Sequence, residues 1–98
     1  MTDRMRNLLG LARRAGKLAS GEAQVEVMLK KNKGFLLLLA EDGGSMQKKF
    51  ALWAEDIKLP TIIDGTKQEI GMAIGMSPRT AVLITDRGFA KAILETRS

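Results

Sequence analysis

Three aspartates stand at the same point of a repeated pattern: Asp42 follows an apolar run at 35–40, Asp64 follows 61–63, and Asp86 follows 81–85. Carboxylates gathered at the carboxyl edge of an α/β sheet, where such proteins commonly bind ligands, would make a magnesium site. Each aspartate also has a backbone reason to be where it is. Asp86 is placed as a helix N-cap, Asp64 precedes a glycine as turn aspartates do, and Asp42 sits in a Glu-Asp-Gly-Gly turn. The backbone reading is preferred. The chain has no histidine and no cysteine, which removes the usual general base, the imidazole-activated nucleophiles and a thiolate zinc site. Neither a Gly-Lys-Ser/Thr phosphate loop nor a dinucleotide fingerprint follows any strand. The expectation is a protein that is not an enzyme and carries no cofactor and no metal.

A second constellation lies in residues 16–34, GKLASGEAQVEVMLKKNKG. It reads as a helix opened by Ser20, Gly21 and Glu22 and closed by Lys30 and Lys31. Free amides and the helix dipole at a glycine-opened N-terminus attract an anion. Gln24, one turn in, can both donate to and accept from a base edge, which a phosphate-only site would not require. Arg13, Arg14, Lys17, Lys30 and Lys31 are the candidates for neutralising phosphates. Charge along the chain agrees, because residues 1–34 carry eight basic and three acidic groups, while 35–98 carry eight of each. The whole net charge of +5 therefore lies in the first third, as expected of a face that binds a polyanion. With one Trp, three Phe and no Tyr there is no extended stacking surface, so shape and phosphate contacts should dominate.

The elements that must position these residues follow from periodicity. Residues 4–15 have helical spacing of Met5, Leu8, Leu9, Leu11 and Ala12, capped by Thr2 or Asp3 and stopped by Gly16. Residues 17–19 form a short extended link or edge strand, and Ser20 is expected to cap the second helix, which Asn32 and Gly34 end. The uniformly apolar run 35–40 suits a strand buried on both faces. Ser45 is expected to cap a third helix with Met46, Phe50, Leu52 and Trp53 on its apolar side. A short strand at 61–63, a capping box Thr66-x-x-Glu69 opening a helix to about Ile74, a strand at 81–85 and an Asp86-capped final helix complete the order. The spacing Gly71-x-x-x-Gly75 is read as close helix packing, since no apolar twenty-mer surrounds it. Strands alternating with helices predict a mainly parallel sheet covered on both faces, a three-layer α/β/α domain spanning 1–98.

A chain of 98 residues is long enough to bury a core on its own. The apolar segment in MTDRMRNLLGLARRAG is too short for a signal peptide, and the longest apolar run, FLLLLA, is too short to span a membrane. The expectation is a cytoplasmic protein with no membrane contact, and a monomer, since no exposed apolar stripe stands out.

The stretches LASGEAQVEVMLKKNKGFLLLLAED and DGTKQEIGMAIGMSPRTAVLIT resemble the superfamily of kink-turn-binding ribosomal proteins typified by the archaeal L-seven-Ae protein. LLGLARRAGKLASGE and ITDRGFAKAILE are similar in particular to its bacterial YlxQ-type members. This resemblance covers nearly the whole chain. It implies a three-layer sandwich with a small mixed four-stranded sheet, and structured, kink-turn-like RNA as partner. In that superfamily a Gly-Thr-Asn-Glu-x-x-Lys signature opens the second helix and enters the groove at sheared G·A pairs, while a hydrophobic loop before the last strand covers a flipped-out nucleotide. Here the glycine is kept as Gly21, and Glu22, Ala23, Gln24 and Val27 stand at the other four positions. Lys31 supplies the basic residue one turn later, and Met76, Ser77, Pro78 and Arg79 form the loop. Ala23 cannot hydrogen-bond a base and Val27 removes a charged contact, each worth about 1–3 kcal/mol where a base contact is lost. The resemblance thus implies RNA binding, with ribosomal association. The alternative is a protein-interaction module of the translation or transcription machinery that has lost base readout.

Overall fold

The structure is a computed structural model that describes residues 1–97. Leu36–Leu39 (β2) is buried at every position, yet its side chains serve two cores. Leu36 and Leu38 point to one face and Leu37 and Leu39 to the other, because a strand alternates its side chains. Around it the sheet runs β1-β4-β2-β3, with β1 at Leu18–Ser20, β3 at Thr61–Ile63 and β4 at Ala81–Ile84. One face carries α1 (Asp3–Arg14), α4 (Lys67–Ala73) and α5 (Arg87–Glu95), whose Met5, Leu9, Ile70 and Ile93 meet Leu36, Leu38 and Ile84. The other carries α2 (Glu22–Lys30) and α3 (Gly44–Asp56), whose Val25, Leu29 and Phe50 meet Leu37, Leu39 and Leu83. This is the three-layer sandwich with a mixed four-stranded sheet.

The expectation of a mainly parallel sheet does not hold. Only β2 and β3 pair in parallel; β4 is antiparallel to both β1 and β2. Strands β1, β2 and β3 run one way and β4 the other. Helix–strand alternation fixes the layers, but the direction of a strand inserted between two others depends on where the preceding loop delivers it.

Two expected caps move by one or two residues. Ser20 is the last residue of β1, and Gly21 caps α2 without a side-chain bond. Gly43, not Ser45, caps α3; a Cβ there would stand 2.7 Å from Thr80 Cγ2 and 3.2 Å from Ala40 O, so the turn needs glycine at that point. Leu52, expected on the apolar side of α3, is exposed, whereas Phe50 is fully buried with Trp53 stacked on it at 6.3 Å. The remaining caps are as read: Thr2 accepts from Met5 N, Asp86 accepts from Phe89 N, and Thr66 and Glu69 form a complete capping box. Of the link read at 17–19, Leu18 and Ala19 belong with Ser20 to an edge strand, and Lys17 precedes it.

Gly71 accounts for the glycine spacing in α4, but its neighbour is not a helix. A Cβ on Gly71 would lie 2.3 Å from Ser77 O and 2.9 Å from Met76 O, so the missing side chain lets the following loop fold back onto α4. Gly75 has a positive φ of 70° and open space around it, consistent with a helix-ending turn.

Candidate nucleic-acid interface

The strand directions decide which candidate residues meet. Because β1 and β2 both run against β4, the exits of β1 and β2 share one sheet edge with the entry to β4. Gly21 N donates to Ala81 O at 3.2 Å and Ala40 N donates to Thr80 O at 2.8 Å, stitching those three chain segments together. The start of α2 therefore lies beside the loop 76–79, some 55 residues away in sequence.

At this mouth Gly21 has φ 89° and ψ 152°, a conformation that is essentially reserved for glycine. It brings the first turn of α2 to the surface without a capping side chain, leaving its amides for another acceptor. A side chain added at Gly21 would stand 3.9 Å from Arg79 Nε. Arg79 Nη1 donates to Ser77 Oγ at 2.7 Å and to the carbonyls of Ser77 and Pro78, while Arg79 Nε is buried without an acceptor. Ser20 Oγ lies 3.2 Å from Met76 Sδ, so the loop is fastened to the end of β1 as well. Gln24 is exposed one turn along, beside Ala23, Val27 and Met28, which line a depression of about 320 Å³.

The sequence-predicted residues thus fall into three groups. Ser20, Gly21, Glu22, Gln24, Met76, Ser77, Pro78 and Arg79 come together at the mouth. Arg13 and Arg14 line a groove of about 650 Å³ between α1 and α4 that reaches Gly75, next to the loop. Lys17, Lys30 and Lys31 do not come to the mouth: Lys17 precedes β1, and Lys30 and Lys31 end α2, about 13 Å along the helix from Gly21. Lys30 is also engaged by Glu26 at 3.8 Å. Lys67 escaped the sequence reading, and Gly71 entered it only as a sign of close helix packing. Lys67 O accepts from Arg79 N at 3.0 Å and its own N–H donates to Asp42 Oδ1 at 2.8 Å, so the start of α4 holds both the loop and the turn after β2. Only the mid-helix glycine at 71 signalled this in sequence.

The three aspartates do not converge. Asp42 and Asp64 lie at the mouth edge, but β4 is reversed, which sends Asp86 to the opposite edge. Asp42 binds the Lys67 amide, Asp64 binds the N-terminal ammonium at 3.1 Å and Arg97 at 3.2 Å, and Asp86 caps α5. Among the described residues no group of three or more metal-ligating side chains is placed to hold a metal ion.

Comparison with known proteins bears on the same arrangement. The profile of the Ribosomal protein L7Ae/L30e/S12e/Gadd45 family matches residues 3–94, from the first residue of α1 into the last turn of α5. The chain belongs to this family. It is 36% identical over 88 residues to the RNA-binding protein YlxQ of Bacillus subtilis, covering 89% of this chain and 88% of that protein. It is 34% identical over 90 residues to the RNA-binding protein YlxQ of Enterococcus faecium, covering 91% and 86%. A solved structure of a protein of unknown function from Bacillus halodurans superimposes with a TM-score of 0.88 at 32% identity, covering 96% of each chain. The 15.5 kDa RNA-binding protein of Giardia lamblia shares the fold, with a TM-score of 0.80 at 20% identity over 94% of this chain and 80% of that one. Among the described residues no helix is long and apolar enough to cross a membrane.

Gly21 offers a direct check on the mouth. Gly21→Ala is expected to cost about 1–3 kcal/mol, because alanine is strained at this φ and ψ. Urea denaturation would read that loss; a variant as stable as wild type would mean that the turn relaxes and that the conformation is not enforced.

Proposed function

We infer that this chain is a cytoplasmic, non-enzymatic RNA-binding protein that recognises structured, kink-turn-like RNA through the start of α2 and the loop 76–79. The observation that carries this reading is the mouth itself. An uncapped, glycine-opened helix start is held beside an arginine whose Nε has no acceptor within the protein. Backbone amides at Glu22 and Ala23 and the Arg79 guanidinium suit phosphate or base oxygens, Gln24 reads a base edge, and Met76 and Pro78 cover an unstacked nucleotide. Arg13 and Arg14 approach the same RNA along the groove that ends at Gly75. Family membership and relatives named as RNA-binding proteins support the assignment. The partner is structured RNA, with ribosomal RNA the leading class, and the working state is a monomer.

The test is an anisotropy titration of a kink-turn RNA against a straight duplex of equal length, with wild type and Gln24→Ala. Wild type is expected to prefer the kinked RNA, and Gln24→Ala to erase about 1–3 kcal/mol of that preference. Equal, weak binding of both RNAs by wild type would defeat the reading. It would favour a second one, an interaction module for ribosomal or transcription–translation factors. The apolar depression of Ala23, Val27 and Met28 beside Gln24 speaks for that alternative, with Val27 half exposed where the superfamily signature has a lysine.

A further inference from the structure

The cations that the fold withholds from the mouth are not scattered. At the other sheet edge β4 leaves the sheet between the entries to β1 and β2. Thr85 N donates to Lys17 O at 2.9 Å and Phe35 N donates to Ile84 O at 2.8 Å, which puts Lys17 and Phe35 on either side of β4, about 10 Å apart. Arg87, in the first turn of α5, lays its guanidinium 5.4 Å from the centroid of the Phe35 ring, and Phe35 is 38% exposed. A groove of about 620 Å³ continues from Phe35 and Arg87 along α5 past Lys91 to Leu94, with Glu95 the one carboxylate in its lining. Asn32, just past the end of α2, has a left-handed φ of 57°, and Lys33 N donates back to Met28 O at 3.1 Å before the chain reaches Phe35. Lys17, Lys31, Lys33, Arg87 and Lys91 are exposed, and among the described residues none is ion-paired to a carboxylate. Asp86, the acid nearest to Arg87 in sequence, is committed to capping α5.

Cations with no carboxylate partner among the described residues, around an exposed phenylalanine with a guanidinium beside its ring, fit a ligand that brings both negative charge and flat π faces. A nucleic acid strand has both. An arginine supported on an aromatic ring is a preorganised plane for one unstacked base, and the lysines beside it suit the flanking phosphates. An acidic protein segment matches the charge but makes no use of the plane. We propose that this edge is a second RNA-contact face that takes an unpaired strand, so that one copy of the protein holds two RNA segments at opposite ends of the sheet. The chain has too few aromatics for a multi-base platform, and this face needs only one.

The test uses the full chain and a fluorescein-labelled single-stranded RNA of mixed sequence, roughly 12 nucleotides long. It is titrated with and without a saturating unlabelled kink-turn RNA, at about 50 and about 200 mM salt. The oligonucleotide is expected to bind in both cases with affinities within about twofold, since the two faces do not overlap. Arg87→Glu and Phe35→Ala are each expected to weaken it about tenfold. Arg87→Glu should also flatten the log–log salt slope by about 0.7. Kink-turn binding by Arg87→Glu should match wild type, which also shows that the variant is folded. Displacement of the oligonucleotide by the kinked RNA would overturn the proposal by reducing the two faces to one. So would unchanged oligonucleotide affinity in Arg87→Glu. Failure to bind the oligonucleotide at the lower salt would also overturn it and leave an acidic protein segment as the ligand this edge fits. The effects of Arg87→Glu and Phe35→Ala without competitor read this edge alone, so a missing kink preference would count against the α2 mouth and not against this face.

Discussion

Gly71→Ala is expected to lower the melting temperature by about 10 °C and to weaken binding of kinked RNA by about tenfold. The added methyl would meet backbone atoms, Ser77 O at 2.3 Å and Ser77 C at 2.7 Å, so no side-chain rotation can relieve it. Either α4 or the loop must move. Such overpacking costs about 3 kcal/mol, while the better helix propensity of alanine returns only about 1. A net loss of about 2 kcal/mol corresponds to roughly 8–16 °C for a chain of this size. The loop 76–79 carries Arg79 against Gly21 and Met76 against Ser20, so its displacement opens the mouth. Calorimetry and the kink-turn titration would measure both effects. Destabilisation with undiminished RNA affinity would show that the loop is structural only and remove it from the interface.

Phe50→Ala should give a larger loss of stability and a smaller loss of function. Phe50 is fully buried beneath α3 on the face away from α4, and deletion of a phenylalanine side chain in a core costs about 3–5 kcal/mol. A domain of ordinary stability, about 5–15 kcal/mol, survives this at low temperature. Trp53 loses the ring stacked on it at 6.3 Å, so its emission should move to longer wavelength. Below the lowered melting temperature the preference for kinked over straight RNA should persist, because Gly21 and the loop are held by bonds to Ala81 O, Lys67 O and Ser20 that do not involve Phe50. Loss of that preference in a folded Phe50→Ala protein would mean that the mouth depends on the whole sandwich and not on the local bonds described above.

The contrast between the two substitutions mirrors what could be read from the chain. Phe50 announced itself as core through helical spacing. Gly71 announced only that something approaches closely, and its actual neighbour, the carbonyl of Ser77, became visible in three dimensions. The caps show the same division. Thr66 with Glu69, Asp86 and Thr2 were legible because a capping side chain bonds an amide two or three residues away, a local event. Ser20 and Ser45 were misplaced as caps because the turns they adjoin are set by strand register and by Thr80 packing on Gly43, which local chemistry does not encode.

The sequence by itself determined the layers, the two-sided burial of 36–39, the glycine-opened second helix and the concentration of positive charge in the first third. These follow from side-chain period, turn chemistry and composition, all properties of near neighbours in the chain. Only the tertiary structure decided which charges share a face. Reversal of β4 brings the 76–79 loop to Gly21, sends Asp86 away from Asp42 and Asp64, and gathers Lys17 and Lys33 with Phe35 and Arg87 at the far edge. Strand direction is set by long-range hydrogen-bond pairing and by the route of the connecting loops, so no periodicity within a segment can reveal it.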